Sequence, residues 1–157
     1  MQLTFITVGS LKEKYLSEAV DEYVKRLSPY AVFKEINCKE EKIVEESEAK
    51  IREALESEGD KILSRIPEGA KVIALCVEGK ELSSAEFASL LENYGSRTGK
   101  VCFIIGSSYG LSPKVKERAD FRLSFSKMTF PHQLMRVCLS EAVYRAFTIC
   151  AGKKYHK

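Results

Sequence analysis

Hydrophobic and polar positions alternate between two rhythms along this chain. Residues 2–8 (QLTFITV) are rich in β-branched and aromatic types and stop at Gly9, which reads as a strand. From Leu11 to Leu27 the apolar residues Leu11, Tyr15, Ala19, Tyr23 and Leu27 recur at helical spacing, and Pro29 closes that helix. Residues 31–37 return to a strand pattern. Between 39 and 66, Ile43, Ile51, Leu55, Ile62 and Leu63 stand on a charged background, as in one long or broken helix ending near Pro67.

The second half repeats the alternation. Lys71–Val77 and Val101–Ile105 are apolar throughout, as buried strands are. Ser83–Tyr94 is a helix capped by Ser83 or Ser84 with Glu86 in its first turn. A short helix is expected near Pro113–Ala119, a short strand at Phe121–Phe125 and a last helix at Pro131–Cys150. Strands apolar on both faces and separated by helices predict an α/β fold with a parallel sheet covered on both sides. No repeat, low-complexity tract or linker interrupts residues 1–157, so one domain is expected.

Composition adds little, with 45% apolar and 30% charged residues, as in globular proteins. No apolar run approaches the ~18 residues of a membrane span, and no leader pattern opens the chain, so a cytoplasmic location is the default and no membrane partner is expected. The five cysteines are separated and mostly apolar in context, which favours buried thiols over a metal or redox role, and no metal site is expected. Charge placement is more informative. Residues 1–96 carry 13 Lys and Arg against 19 Asp and Glu, whereas residues 97–157 carry 12 against 3. A basic C-terminal third points towards a polyanion.

Ligands of such sheets collect where strands end at their carboxyl side. Three loops qualify: Leu75–Lys80, Ile105–Leu111 and Leu123–Gln133. The second holds Gly106 and Gly110; taken alone, that spacing favours a tight turn over close approach to a ligand. It is not the dinucleotide fingerprint, and no GxxxxGK[ST] occurs, which argues against ordinary dehydrogenases, kinases and NTPases. The third loop runs without a turn dipeptide into Pro131. An extended stretch there can offer backbone N–H and C=O groups to a purine edge, with Phe125, Met128 and Phe130 as apolar walls; the plainer alternative is a loop capped by Thr129.

On the last helix His132, Arg136 and Ser140 form one polar stripe on an otherwise apolar cylinder, so the helix is buried in the core or against a second subunit. An arginine there is costly to desolvate unless paired with a carboxylate, a phosphate or another chain. The tail, GKKYHK, joins three lysines to Tyr155 and His156. Such a set can hold an unpaired nucleotide, although composition alone favours a frayed basic end.

The string LSFSKMTFPHQLMR at Leu123–Arg136, followed by Glu141, Tyr144–Phe147 and terminal Tyr155-His156-Lys157, resembles the RlmH family of the SPOUT superfamily. Val8-Gly9, LKEKY, EYVKRLSPY at 22–30 and Gly79-Lys80 fit as well, so the resemblance spans essentially the whole chain. It implies S-adenosylmethionine-dependent methylation of N3 of a pseudouridine in 23S rRNA of the large ribosomal subunit. It further implies a SPOUT α/β domain with a C-terminal trefoil knot, acting as a homodimer with the last helix in the interface.

By matching positions, the cofactor would touch Leu75, Gly106 and Phe125, Ser126, Lys127, Met128, Thr129 and Phe130. Arg136 would stabilise charge or anchor a phosphate, His132 or His156 would assist proton removal, and Tyr155 would stack on the target base. Arg145, Lys153 and Lys154 would bind RNA backbone. Two departures stand out: Ser107 replaces a usual second glycine and would narrow the loop, and Tyr109 stands where a smaller residue is common. A SPOUT enzyme acting on another RNA and a non-catalytic ribosome-associated module are the alternatives.

Overall fold

The computed structural model describes residues 1–157. Five strands build one sheet: β1 (Gln2–Val8), β2 (Val32–Cys38), β3 (Lys71–Glu81), β4 (Lys100–Ile105) and β5 (Phe121–Ser124). Their order is β2-β1-β4-β3-β5, and every pairing is parallel. Five helices connect or follow them: α1 (Lys14–Leu27), α2 (Glu48–Leu63), α3 (Ser84–Thr98), α4 (Pro113–Arg118) and α5 (His132–Cys150). The apolar strands bury residues on both sides. Leu3, Phe5, Val101 and Phe103 meet α1, α3 and α5 in one core; Ile6, Val72, Cys102 and Ile104 meet α2 and α4 in the other. The parallel sheet covered on both faces is therefore the architecture the apolar strands require.

Several boundaries differ from the sequence reading, each for a local reason. Residues 39–47 lie outside the long helix expected from 39 to 66, because Ser47, in extended conformation, caps α2 by accepting from the Lys50 N–H. The first helix begins at Lys14 and not Leu11: Gly9 turns the chain at φ 78°, and the Lys12 N–H is held by the Gln133 side chain. α3 runs beyond Tyr94 to Thr98, where Gly99 takes the left-handed conformation at φ 67°. Its start follows the expected form, with Ser83 and Glu86 in a reciprocal capping box.

The strand expected to end at Val77 continues to Glu81 through an irregularity. Leu123 of β5 pairs with Leu75 before it and with Lys80 after it, so residues 76–79 arch past β5. Passage there is close: a Cβ at Gly79 would lie 2.7 Å from the Leu123 backbone carbon and 2.8 Å from that of Arg122. Only glycine fits such a crossing without displacing main chain. This crossing brings the ends of β3 and β5 to the same place.

α5 packs between α1 and α3, with Leu139, Val143 and Ala146 buried against the sheet. After Cys150, the chain turns back at Gly152 (φ 63°), where the Lys153 N–H bonds the Thr148 carbonyl. The tail is thus folded onto α5 and is not the frayed end that composition favoured. No helix is long and apolar enough to cross a membrane.

Candidate active site

The carboxyl ends of β3, β4 and β5 converge on a cavity of about 290 Å³, at the lower edge of the roughly 300–1,000 Å³ typical of small-molecule sites. The three loops singled out in the sequence form its walls. Leu75, Gly106, Phe125, Ser126, Met128, Thr129 and Phe130 all line it, joined by His132 at the start of α5. The side chain of Lys127 does not. Phe125, Phe130 and Met128 remain substantially exposed, so the apolar walls are open to a ligand.

The extended loop carries unspent backbone. No backbone hydrogen bond within the chain starts from the N–H of Ser126, Lys127, Thr129 or Phe130. Met128 differs, since its N–H donates to the Ser126 hydroxyl. Thr129 does not cap α5; Pro131 occupies that place without a side-chain cap. A row of free main-chain donors beside aromatic walls suits a purine nucleoside, whose ring needs both edge hydrogen bonds and apolar faces.

The glycine loop has a different logic from close ligand approach. A Cβ at Gly106 would overlap the Gly110 carbonyl oxygen and lie 2.6 Å from its carbon. Gly110 itself sits at φ 89°, and its N–H bonds the Ser107 carbonyl. Gly106 is therefore required by closure of the loop on itself, as the spacing alone favoured. Ser107 does not narrow the pocket: it is 4% exposed and faces α2, where its hydroxyl donates to Glu58. The notion of a constricted loop is corrected on that ground. Sequence reading had passed over Glu58, a buried carboxylate on a mostly solvated helix.

His132 is half-buried, and burial lowers its pKa, with nearby Arg136 and Lys12 acting in the same direction and Glu40 opposing. The imidazole is thereby held in its neutral form near pH 7. Elsewhere in the lining, Glu78 is held below the usual carboxylate range chiefly by its hydrogen bond from Lys116. Cys76, also in the wall, has its thiol pushed up by burial, so it is no thiolate nucleophile.

Arg136 lies elsewhere. It is 3% exposed, and its guanidinium donates to the carbonyls of Val8 and Gly9 and to Glu35 at 3.3 Å. Glu35 also accepts from Thr7, and Asn37 donates to Thr7 and Gly9. The expected charge-stabilising or phosphate-anchoring arginine thus ties the first turn of α5 to the end of β1. Two carbonyls and a carboxylate, instead of an external anion, partner its terminal nitrogens, while its Nε–H is buried without a partner. Ser140 completes the stripe by donating to the Arg136 carbonyl.

The remaining predicted residues gather apart from this cavity. Arg145 pairs with Glu141, lies 4.8 Å over the Tyr155 ring and reaches His156 at 3.4 Å. Tyr155 donates to Glu141 at 3.1 Å and packs edge-on against Tyr144, and burial with that bond pushes its pKa up to about 12. Within the chain Arg145 covers one face of its ring and Tyr144 meets it edge-on. Lys153 lies over the Tyr30 ring, while Lys154 is exposed. Arg145 and Glu141 line a smaller cavity of about 210 Å³ that shares Leu123, Ser124 and Phe125 with the first. The β5 end is the wall between them.

An all-parallel sheet with its pocket at three carboxyl-end loops, one of them extended and rich in free donors, defines an α/β enzyme of the nucleotide-cofactor type. A known family narrows this. The family described as "Predicted SPOUT methyltransferase" matches residues 1–156, and the chain belongs to it. Its relatives named "Ribosomal RNA large subunit methyltransferase H" include proteins of Carboxydothermus hydrogenoformans (49% identical over 161 residues) and Bacillus pumilus (50% over 161 residues), each matched over 100% of both chains. Among solved structures, that of a probable methylase family protein from Haemophilus influenzae Rd KW20 superposes with a TM-score of 0.55 at 12% identity. That match covers 98% of this chain and 67% of the other, and it supports the fold alone.

Proposed function

We propose that this chain methylates N3 of a pseudouridine in 23S rRNA of the large ribosomal subunit, with S-adenosylmethionine as donor. The observation that carries the reading is the loop 125–130: free main-chain donors and aromatic walls at the meeting point of three strand ends, in a chain half-identical throughout to large-subunit rRNA methyltransferases H. Leu75 and Phe125–Phe130 would hold the cofactor, Lys127 through its backbone, while Gly106 shapes the loop beneath. When bound, that cofactor supplies a methyl group already activated on a sulfonium.

The chain's own residues then have a limited task, since methyl transfer from such a donor depends mainly on placement. The acceptor N3–H must lose its proton. Neutral His132, in the cavity wall, is the group available to take it. His156 and Tyr155 lie outside the cavity of their own chain, so their proposed parts in proton removal and base stacking require a second copy. A homodimer supplies one, with the apolar α5 in the interface, and Leu134 is exposed on that helix. Arg145, Lys153 and Lys154 would meet RNA backbone. The C-terminal segment beyond β5 would be the threaded part of a trefoil knot, consistent with the close passage at Gly79.

Calorimetric titration with S-adenosylmethionine, followed by transfer of label to large-subunit RNA, tests the reading. Tight binding with label in that RNA is expected. Tight binding without such label would move the substrate to another RNA, and absence of both would leave a non-catalytic module.

A further inference from the structure

A groove of about 860 Å³ opens beside the methyl-transfer cavity and has no part in the function above. Its walls are the turn after β1, residues 39–44 after β2, and Ser108-Tyr109 of the glycine loop. The last two residues also line the methyl-transfer cavity, so the groove begins where the cavity's rim ends. Tyr109, 37% exposed, is the partition, and its hydroxyl is anchored on Glu46.

The charges in the groove are unequally committed. Arg65 is held by the Asn37 carbonyl and the Cys38 sulfur, and Glu41 is neutralised by Lys61 with a further bond from Ser57. Lys12, Lys39 and Lys42 are exposed, and none of the three ammonium groups joins an ion pair or hydrogen bond in the chain. Glu40 is the one uncommitted carboxylate of the lining; it folds over Gly9, on the side of His132 and Arg136. Lys12 is fixed in place because its backbone N–H is held by Gln133, next to His132.

Three free ammonium groups around a groove, with a half-exposed aromatic ring at its inner end, match the needs of a single RNA strand. Cations follow the phosphates, and a flat ring can stack on an unpaired base. A strand whose nucleotide enters the cavity must also leave it, and the groove adjoins that rim. We propose that this groove is an RNA-backbone site: Lys12, Lys39 and Lys42 take phosphates flanking the methylated nucleotide, and Tyr109 stacks on the base next to it. The proposal rests on the reading of the chain as an rRNA methyltransferase. It puts RNA contacts in the half of the chain that is acidic overall, where bulk charge would not place them.

The test compares the full-length protein with the double variant Lys39→Gln/Lys42→Gln, and with Lys25→Gln/Lys100→Gln, at the end of α1 and the start of β4, as a charge-matched control outside the groove. Large ribosomal subunits from a strain lacking the protein are the probe. The groove variant is expected to raise KM for the subunits about tenfold with kcat within twofold, to keep its cofactor affinity, and to lower the slope of log K against log salt by about two. The control should leave that slope unchanged. An unchanged slope and KM in the groove variant, or an equal loss in the control, would overturn the proposal. Should the wild-type protein transfer no methyl to the subunit RNA, the enzymatic reading fails separately. The salt slope on the same RNA still decides the groove, and an absence of salt-dependent binding by the wild type overturns it.

Discussion

The hydroxyl of Ser107 donates to the carboxylate of Glu58 at 3.0 Å, and both residues are almost sealed from solvent. The same carboxylate accepts the Glu41 N–H at 2.9 Å. Glu58 therefore joins the glycine loop, α2 and the turn after β2 behind the pocket instead of inside it. Replacing Ser107 by Ala removes one donor from a buried carboxylate and is expected to cost about 1–3 kcal/mol. Because the side chain faces away from the cavity, affinity for S-adenosylmethionine should stay within twofold. Thermal melting and calorimetry check the pair of outcomes; a tenfold loss of affinity at unchanged stability would contradict the assignment.

Burial raises the pKa of Glu58 above its ordinary 4.5, against the opposing bonds from Glu41 and Ser107. The folded state then holds the proton more tightly than the unfolded state. Stability falls as pH rises from about 4.5 through the raised folded value, and stays lowered above it. Glu58→Gln removes that ionisation while keeping an acceptor for the Glu41 N–H. Its melting temperature relative to wild type should climb from pH 4 to pH 7; a constant difference across that range would refute the sign.

Gly106→Ala places a Cβ methyl on the main-chain carbonyl of Gly110, where the backbone cannot yield cheaply. Overpacking of this kind costs roughly 1–3 kcal/mol, and opening the loop displaces a wall of the cavity. A more than tenfold loss of S-adenosylmethionine affinity is expected by calorimetry. Wild-type affinity would mean that the loop closes differently.

Much of this was legible from sequence, because apolar strands between amphipathic helices leave few alternatives to a covered parallel sheet. The Ser83–Glu86 capping box and the three strand-end loops were equally plain. What sequence could not give was direction. Arg136 and His132 share one helix stripe, yet a single turn separates an arginine bonded to Val8 and Gly9 from a histidine in the cavity wall. Glu58 looked like one more surface carboxylate on α2, since its burial depends on a loop 49 residues away. The tail read as frayed because nothing local reveals that Tyr155 finds Glu141.

Arg136→Ala should destabilise the protein by roughly 2–3 kcal/mol, less than the ~3–5 kcal/mol of a fully buried pair because Glu35 is one-third exposed. As the arginine positions the first turn of α5, kcat should fall along with stability. Arg136→Lys should recover only part of both, since one ammonium cannot reproduce the guanidinium fork. Denaturant unfolding and methylation rates measured together separate this from a direct part in catalysis, which would cut kcat without loss of stability.

His132, with its pKa lowered mainly by burial, is neutral above its ordinary 6.5 and contributes stability there. That contribution is lost as pH falls through the lowered folded value. The acid limb of the kcat/KM profile should accordingly lie below pH 6.5 and vanish in His132→Asn. An acid limb that persists in the variant would assign the proton to another group.

The central claim is tested most directly on ribosomes from a strain lacking this protein. They would be incubated with purified protein and radiolabelled S-adenosylmethionine, and the large-subunit RNA digested to nucleosides. Label in N3-methylpseudouridine is the predicted result. Label confined to any other nucleoside, or none in that RNA despite tight cofactor binding, would contradict the account.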